Sequence, residues 1–218
     1  MDEAFWQERW AHGQLGFHLE RVNPRLQKHW PGLSPASGEP VFVPLCGKSL
    51  DMGWLAQRGH PVTGVELSGI AVKAFFEAYG HPPVVTNAGA FREYRAAGVR
   101  LLQGDFFDLH AADLPGVASV YDRASLIALP PAMRPGYARH LASLLATGTR
   151  ILLVTLEYDQ REMQGPPFAV HRDEVELLFS ESFVLEPLEL TPELELPPRF
   201  RQRGLQRMRE RIYRLTRR

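Results

Sequence analysis

The chain has 218 residues, 44% hydrophobic and 23% charged, which suits one folded domain with a substantial core and excludes a disordered, collagen-like or coiled-coil polypeptide. Its 25 Lys and Arg balance 25 Asp and Glu, so no overall field recruits nucleic acid or an acidic membrane. The single cysteine, Cys46, rules out an internal disulfide and a cysteine metal cage. The acidic, aromatic start and the lack of any run of about 18 apolar residues lead to the expectation of a cytoplasmic protein without leader or membrane span, and a monomer is expected.

In chain order, Phe5, Trp6 and Trp10 recur at helical spacing. A break follows at His12-Gly13-Gln14-Leu15-Gly16-Phe17, and a second helical stretch runs from about Pro24 to Trp30. Residues 1–30 read as a lead-in that can close over a site as a lid, with Gly13 and Gly16 absorbing the backbone change. Val41 to Leu45 is a short apolar run suited to a buried parallel strand. A turn, Cys46-Gly47-Lys48-Ser49, leads to a helix over 51–58 that stops at Gly59. Pro61 to Glu66 is a second strand, and Ser68 is placed to cap a helix reaching Tyr79. Val99–Gln103, Ala118–Asp122 and Arg150–Leu156 are further strands, with a helix over 131–146 between the last two. A helix over 172–180 and strands near Phe183–Leu190 and Glu210–Thr216 close the chain. The alternation of strands and helices predicts a doubly wound, mostly parallel α/β sheet in a single domain, 1–218. The acidic stretch 173–195 and the Arg-rich end 199–218 are read as solvated edge strands paired with each other, not as a nucleic-acid surface.

In such a sheet ligands lie beyond the carboxyl ends of the strands, so the residues there carry the functional reading. The turn Pro44-Leu45-Cys46-Gly47-Lys48-Ser49 lacks both the G-x-G-x-x-G spacing of a dinucleotide loop and the G-x-x-x-x-G-K-[ST] spacing of a P-loop. Glu66 stands about 20 residues further on, where a carboxylate takes both hydroxyls of a ribose. Adenosine without a phosphate cradle points to S-adenosylmethionine. Asp105 and Phe106 end the third strand where an adenine ring would lie. Cys46 reads as a small buried hydrophobe, not a nucleophile, because no histidine neighbours it in the sequence. The eight histidines show no H-x-x-x-H spacing, so no metal site is expected. The lead-in aromatics are either core packing or part of the lid.

Trp6-Gln7-Glu8-Arg9-Trp10, Phe17-His18, Pro44-Leu45-Cys46-Gly47-Lys48, Arg58-Gly59-His60, Gly64-Val65-Glu66, Asp122-Arg123 and Tyr158-Asp159 with Gly165-Pro166-Pro167-Phe168 together resemble the thiopurine S-methyltransferase family, in its compact bacterial branch. The resemblance runs in order over nearly the whole chain and is weakest between Gly80 and Arg100. It implies a class I methyltransferase fold, Rossmann-like, with a seven-stranded sheet whose last strand is antiparallel, helices on both faces and S-adenosylmethionine as cofactor. Carried onto this sequence, the cofactor residues are Trp10, Leu45, Glu66 and Arg123, with Asp105 and Phe106 beside the adenine, and Phe17 faces the substrate. Arg123 steadies either the methionine carboxylate or a thiolate.

The implied reaction is methyl transfer to the sulfur of a thiopurine or another aromatic or heterocyclic thiol, a small-molecule acceptor. Soft sulfur needs no strong general base, so no catalytic residue is expected beyond those that position the two sulfurs in line. Methylation of tellurium or selenium species is the alternative chemistry. A noncatalytic S-adenosylmethionine-binding regulator is the alternative of another class.

Overall fold

The computed structural model describes residues 6, 8, 10, 19, 21–33 and 36–218. Helix α1 (Pro24–His29) begins where the Asn23 side chain accepts from the Arg25 amide at 2.7 Å, with proline in the first turn, and a 3-10 turn over Trp30–Leu33 extends it. Strand β1 (Val41–Val43) follows, then α2 (Asp51–Gln57), β2 (Val62–Glu66) and α3 (Gly69–Tyr79). A hairpin of β3 (Val84–Ala88) and β4 (Phe91–Ala96) precedes β5 (Val99–Gln103). After β6 (Ser119–Arg123) come the single turn α4 (Ser125–Ala128), α5 (Arg134–Leu144) and β7 (Arg150–Glu157). The chain ends with α6 (Arg172–Phe179), β8 (Phe183–Leu190), α7 (Pro198–Gln202) and β9 (Arg209–Arg217).

The strands form one sheet in the order β3-β4-β5-β2-β1-β6-β7-β9-β8. The strands from β5 to β7 in that order are parallel, as their unbroken apolar runs require once both faces are covered. Strand β9 runs antiparallel between β7 and β8. On one face Val41, Val43, Tyr121 and Leu152 pack with Leu26 and Trp30 and with Met52 and Leu55 of α2 and Val72 and Phe75 of α3. On the other face Phe42, Val65, Val120 and Leu153 pack with Tyr137 and Leu141 of α5 and Val175 and Phe179 of α6. No helix among the described residues is long and apolar enough to cross a membrane.

Five expectations are corrected. The sheet has nine strands, not seven, because 84–96 adds a hairpin on the β5 edge. Strand β3 is exposed on both faces, with Val84 69% exposed, so it carries no buried apolar run for a sequence pattern to show. Strand β1 stops at Val43, since Leu45 takes a left-handed φ of 43°. The helix expected over 131–146 is a 3-10 turn at Pro131–Met133 followed by α5. Ser68 holds the N-cap position of α3, but its side chain makes no capping bond, and its amide donates to Glu66 instead. The opposite charges of the C-terminal third do pair across β8 and β9, as between Glu186 and Arg214, but β9 is interior, and its Arg211 also binds Glu157 of β7.

Gly64 of β2 tests how tightly the sheet meets the turn after β1. A Cβ at this position would lie 2.5 Å from Leu101 Cδ2 and 2.8 Å from Cys46 Sγ. Gly64→Ala should therefore lower stability by about 1–3 kcal/mol through overpacking, read as a melting temperature several degrees lower. An unchanged melting temperature would contradict this packing.

Candidate functional site

The chain builds the sheet outward from β1 to the β5 side and then restarts at β6 on the other side of β1, so the loops after β1 and β6 part and leave a crevice. A cavity of about 940 Å³, its open mouth included, occupies this point. Leu45 and Gly47 after β1, Glu66 and Leu67 at the end of β2, and Gly104 to Phe107 after β5 form one side. Ala124, Ala128 and Leu129 at α4, with Met133 and Tyr137 before and within α5, form the other, and Trp6 and Trp10 also line it.

Glu66 is only 8% exposed. Its Oε2 accepts the Gly47 amide at 2.9 Å and its Oε1 accepts the Ser68 amide at 2.8 Å. Each oxygen keeps a further lone pair, so the carboxylate can still accept a pair of hydroxyls. Burial raises its pKa above the ordinary carboxylate value, while the amides of Ser68, Gly47 and Leu67 draw it back. The turn is fixed by its backbone: the Cys46 amide donates to Val65 O at 3.0 Å, and Gly47 takes a left-handed φ of 54°. Trp10 lies close over Gly47, with its Cζ2 3.4 Å from where a Cβ would stand. Leu45 (φ 43°) and Ala124 (φ 81°) are left-handed residues with side chains on facing walls of the cavity. Such backbone costs of order 1–3 kcal/mol per residue and persists where the surroundings enforce it.

Asp105 accepts the Phe107 amide at 2.9 Å and so caps the 3-10 turn Phe106–Asp108. That turn brings Phe106 against Tyr137 and edge-on to His140, at centroid distances of 4.9 and 5.0 Å. His140 Nε2 lies 3.1 Å from Phe106 O and secures the turn from α5.

Trp10, Leu45, Glu66, Asp105 and Phe106 are thus brought together in one cavity, and Arg123 is not. Side chains alternate along β6, so Val120 and Asp122 face α5 while Tyr121 and Arg123 face the other way. Arg123 lines a second cleft, of about 1300 Å³, with Leu19, Arg21 and Asn23, with Ile127 and Pro167, and with Arg199 and Glu210. The single turn α4 is the partition: Ala124 and Ala128 face the first cavity and Ile127 the second. The loop after β7 is held to this partition, because the Phe168 amide donates to Ile127 O at 2.6 Å and the Tyr158 hydroxyl donates to Pro167 O at 2.6 Å. Phe17 lies outside the described residues.

Cys46 is 6% exposed, and burial, with Glu66 nearby, pushes its thiol well above the usual range, as a packing residue and not a nucleophile requires. Among the described residues no group of three or more His, Cys, Asp and Glu side chains is arranged to hold a metal ion. Sequence reasoning missed Phe107, Met133 and Tyr137. Phe107 adjoins a residue that it found, but Met133 and Tyr137 belong to an ordinary helical stripe and carry no signal of their own.

The model of the family described as thiopurine S-methyltransferase matches residues 1–218. The chain belongs to the thiopurine S-methyltransferase family. It is 52% identical over 216 residues to the thiopurine S-methyltransferase of Pseudomonas fluorescens strain SBW25, covering 99% of each chain. It is 50% identical over 218 residues to that of Azotobacter vinelandii, covering 100% of each. Among solved structures it resembles an S-adenosylmethionine-dependent methyltransferase from Anabaena variabilis, with a TM-score of 0.70 at 13% identity, covering 99% of this chain and 95% of that one. It also resembles a Burkholderia thailandensis N1-methyltransferase bound to 1,6-didemethyltoxoflavin and S-adenosylhomocysteine, with a TM-score of 0.63 at 15% identity, covering 98% of this chain and 87% of that one. The fold is that of the class I methyltransferases, and membership of the family makes the chain an S-adenosylmethionine-dependent S-methyltransferase.

Asp122 offers a test of the wall shared with α5. It is 1% exposed and accepts the Tyr137 hydroxyl at 2.6 Å. Burial pushes its carboxyl from 3.8 up to about 6, against the pull of Tyr137 and Ser125. The folded value exceeds the unfolded one, so the stability carried by the protonated form is complete below pH 3.8 and is lost as pH rises through about 6. That loss is on the order of 3 kcal/mol, and Asp122→Asn escapes it. The melting temperature of the variant relative to wild type should therefore move in its favour by several degrees between about pH 4.5 and about pH 7.5. A difference independent of pH would show that Asp122 is not held in this way.

Proposed function

We propose that this chain methylates the sulfur of aromatic and heterocyclic thiols, thiopurines among them, with the cofactor in the first cavity and the acceptor in the second cleft. The observation that carries the assignment of the first cavity is the Glu66 carboxylate, held at the strand end by two amides and still able to accept at both oxygens. A ribose diol fits this donor-accepting edge, and the Phe106, Phe107 and Met133 side chains offer an adenine an apolar slot with Asp105 at its rim. Gly47 allows close approach beside Leu45, and Trp10 covers the outer side. No phosphate cradle is built here, in keeping with a nucleoside cofactor. S-adenosylmethionine, when bound, supplies a methyl group on a positively charged sulfur.

The protein's own contribution is position. Trp10 and Trp6 exclude water and present aromatic faces to a cation, an attraction worth about 1 kcal/mol. Arg123 lines the second cleft, and on this reading its guanidinium attracts an anionic sulfur there. Alignment of two sulfurs can lower a barrier by about 7–11 kcal/mol, so no general base is required. The whole chain, 1–218, works on this reading as a single domain with residues 1–30 as its lid, a cytoplasmic monomer without a nucleic-acid partner.

Three measurements test the proposal. Glu66→Ala should weaken S-adenosylhomocysteine binding by about 1–3 kcal/mol in calorimetry well below the melting temperature, and unchanged affinity would remove the ribose assignment. Radiolabelled S-adenosylmethionine should label thiophenols and thiopurines, and Arg123→Met should raise the KM for the thiol more than the Kd for the cofactor. Labelling of selenite or tellurite alone would overturn the acceptor class.

A further inference from the structure

The stretch from Gly47 to Asp51 touches the N-terminal segment at two points. Trp10 lies over Gly47. Further along, the Asn23 amide donates to Asp51 Oδ1 at 2.7 Å, while the Tyr121 hydroxyl donates to Asp51 Oδ2 at 3.0 Å. Asp51 is 2% exposed, and Asn23 and Tyr121 are 1% exposed. Asp51 is the first residue of α2, not its N-cap, and it turns both oxygens to groups from outside that helix. Asn23 in turn caps α1, which is fastened to the last strands by Arg25–Glu210 at 3.1 Å and His29–Glu189 at 2.6 Å. Between the two points of attachment the turn is continuous: the Gly47 amide is on Glu66, the Ser49 amide donates to Cys46 O at 3.2 Å, and Ser49 Oγ accepts the Asp51 amide at 3.3 Å. Leu19, Arg21 and Asn23 line the second cleft, so the fixed point at Asn23 sets where that wall stands relative to the Glu66 turn.

We propose that Asp51 is a positioning residue for methyl transfer: by holding the Asn23 amide it registers the wall of the second cleft against the turn that carries Glu66. The inference rests on the reading of the first cavity as the cofactor seat and the second cleft as the acceptor seat. A carboxylate is needed because two donors converge on it from different elements, and a neutral amide of the same shape has one acceptor oxygen for them.

The test compares four full-length variants well below their melting temperatures. Asp51→Asn loses one of the two bonds. Asn23→Pro deletes the amide donor at a position whose φ of −63° suits proline, and Asn23→Ala loses the same cap but keeps that donor. Tyr121→Phe leaves the Asn23 bond in place. Asp51→Asn and Asn23→Pro should raise the KM for a thiophenol about tenfold, with S-adenosylhomocysteine affinity within a few-fold of wild type, whereas Tyr121→Phe should stay near wild type in both and Asn23→Ala, which alters the cleft lining but keeps the amide donor, should raise that KM clearly less than Asn23→Pro does. Tryptic cleavage after Arg21 should be slowed by S-adenosylhomocysteine in the wild type and not in Asp51→Asn or Asn23→Pro. Lowered melting temperatures with wild-type kinetic constants and wild-type protection, or equal effects of Asn23→Pro and Asn23→Ala, would overturn the proposal. If Asp51→Asn does not fold, the two Asn23 variants decide. Failure of the wild type itself to bind S-adenosylhomocysteine would refute the underlying reading instead.

Discussion

Two backbone amides, from Gly47 and Ser68, hold the Glu66 carboxylate at the end of β2, and much of the surrounding structure serves to keep them there. A buried carboxylate without donors would be costly, and burial indeed raises its pKa. The donors come from the loops after two adjacent parallel strands, so their positions depend on the register of β1 on β2, with Val43 opposite Gly64. That register in turn requires a residue without a Cβ at Gly64, where Leu101 and Cys46 fill the space. The left-handed turn at Leu45 and Gly47 then bends the chain back toward Glu66. Core packing, strand order and the chemistry of the cavity are therefore one constraint.

The second organising feature is the end of β6. Adjacent residues on a strand face opposite sides, and here they serve different clefts: Asp122 bonds Tyr137 at the first cavity while Arg123 enters the second. One turn of helix separates the two spaces, begun by the left-handed Ala124. This partition presents the small side chains of Ala124 and Ala128 to the first cavity.

The parallel core was legible in the sequence because buried parallel strands are continuous apolar runs, as in Arg150 to Leu156, and because their helices carry regular stripes. The hairpin 84–96 was not. Its outer strand is solvated on both faces, and Phe91 and Tyr94 alone do not make a periodic signal. Within the site, Glu66, Asp105 and Phe106 could be found because strand ends in this architecture have a known use. Arg123 was expected among the cofactor residues and stands in the other cleft, since the facing of the last residue of a strand depends on a register that composition does not show. Tyr137, Met133 and Asp51 reach their places by tertiary folding alone, and each looks like an ordinary helical residue in the linear chain.

The most direct measurement is a crystal structure of the full chain with S-adenosylhomocysteine. The account predicts the ribose hydroxyls within about 3.2 Å of the two Glu66 oxygens, with the Gly47 and Ser68 amides still bonded to the same carboxylate and the adenine lying beside Phe106. A nucleoside seated elsewhere, or a Glu66 side chain rotated away from both amides to meet it, would contradict it.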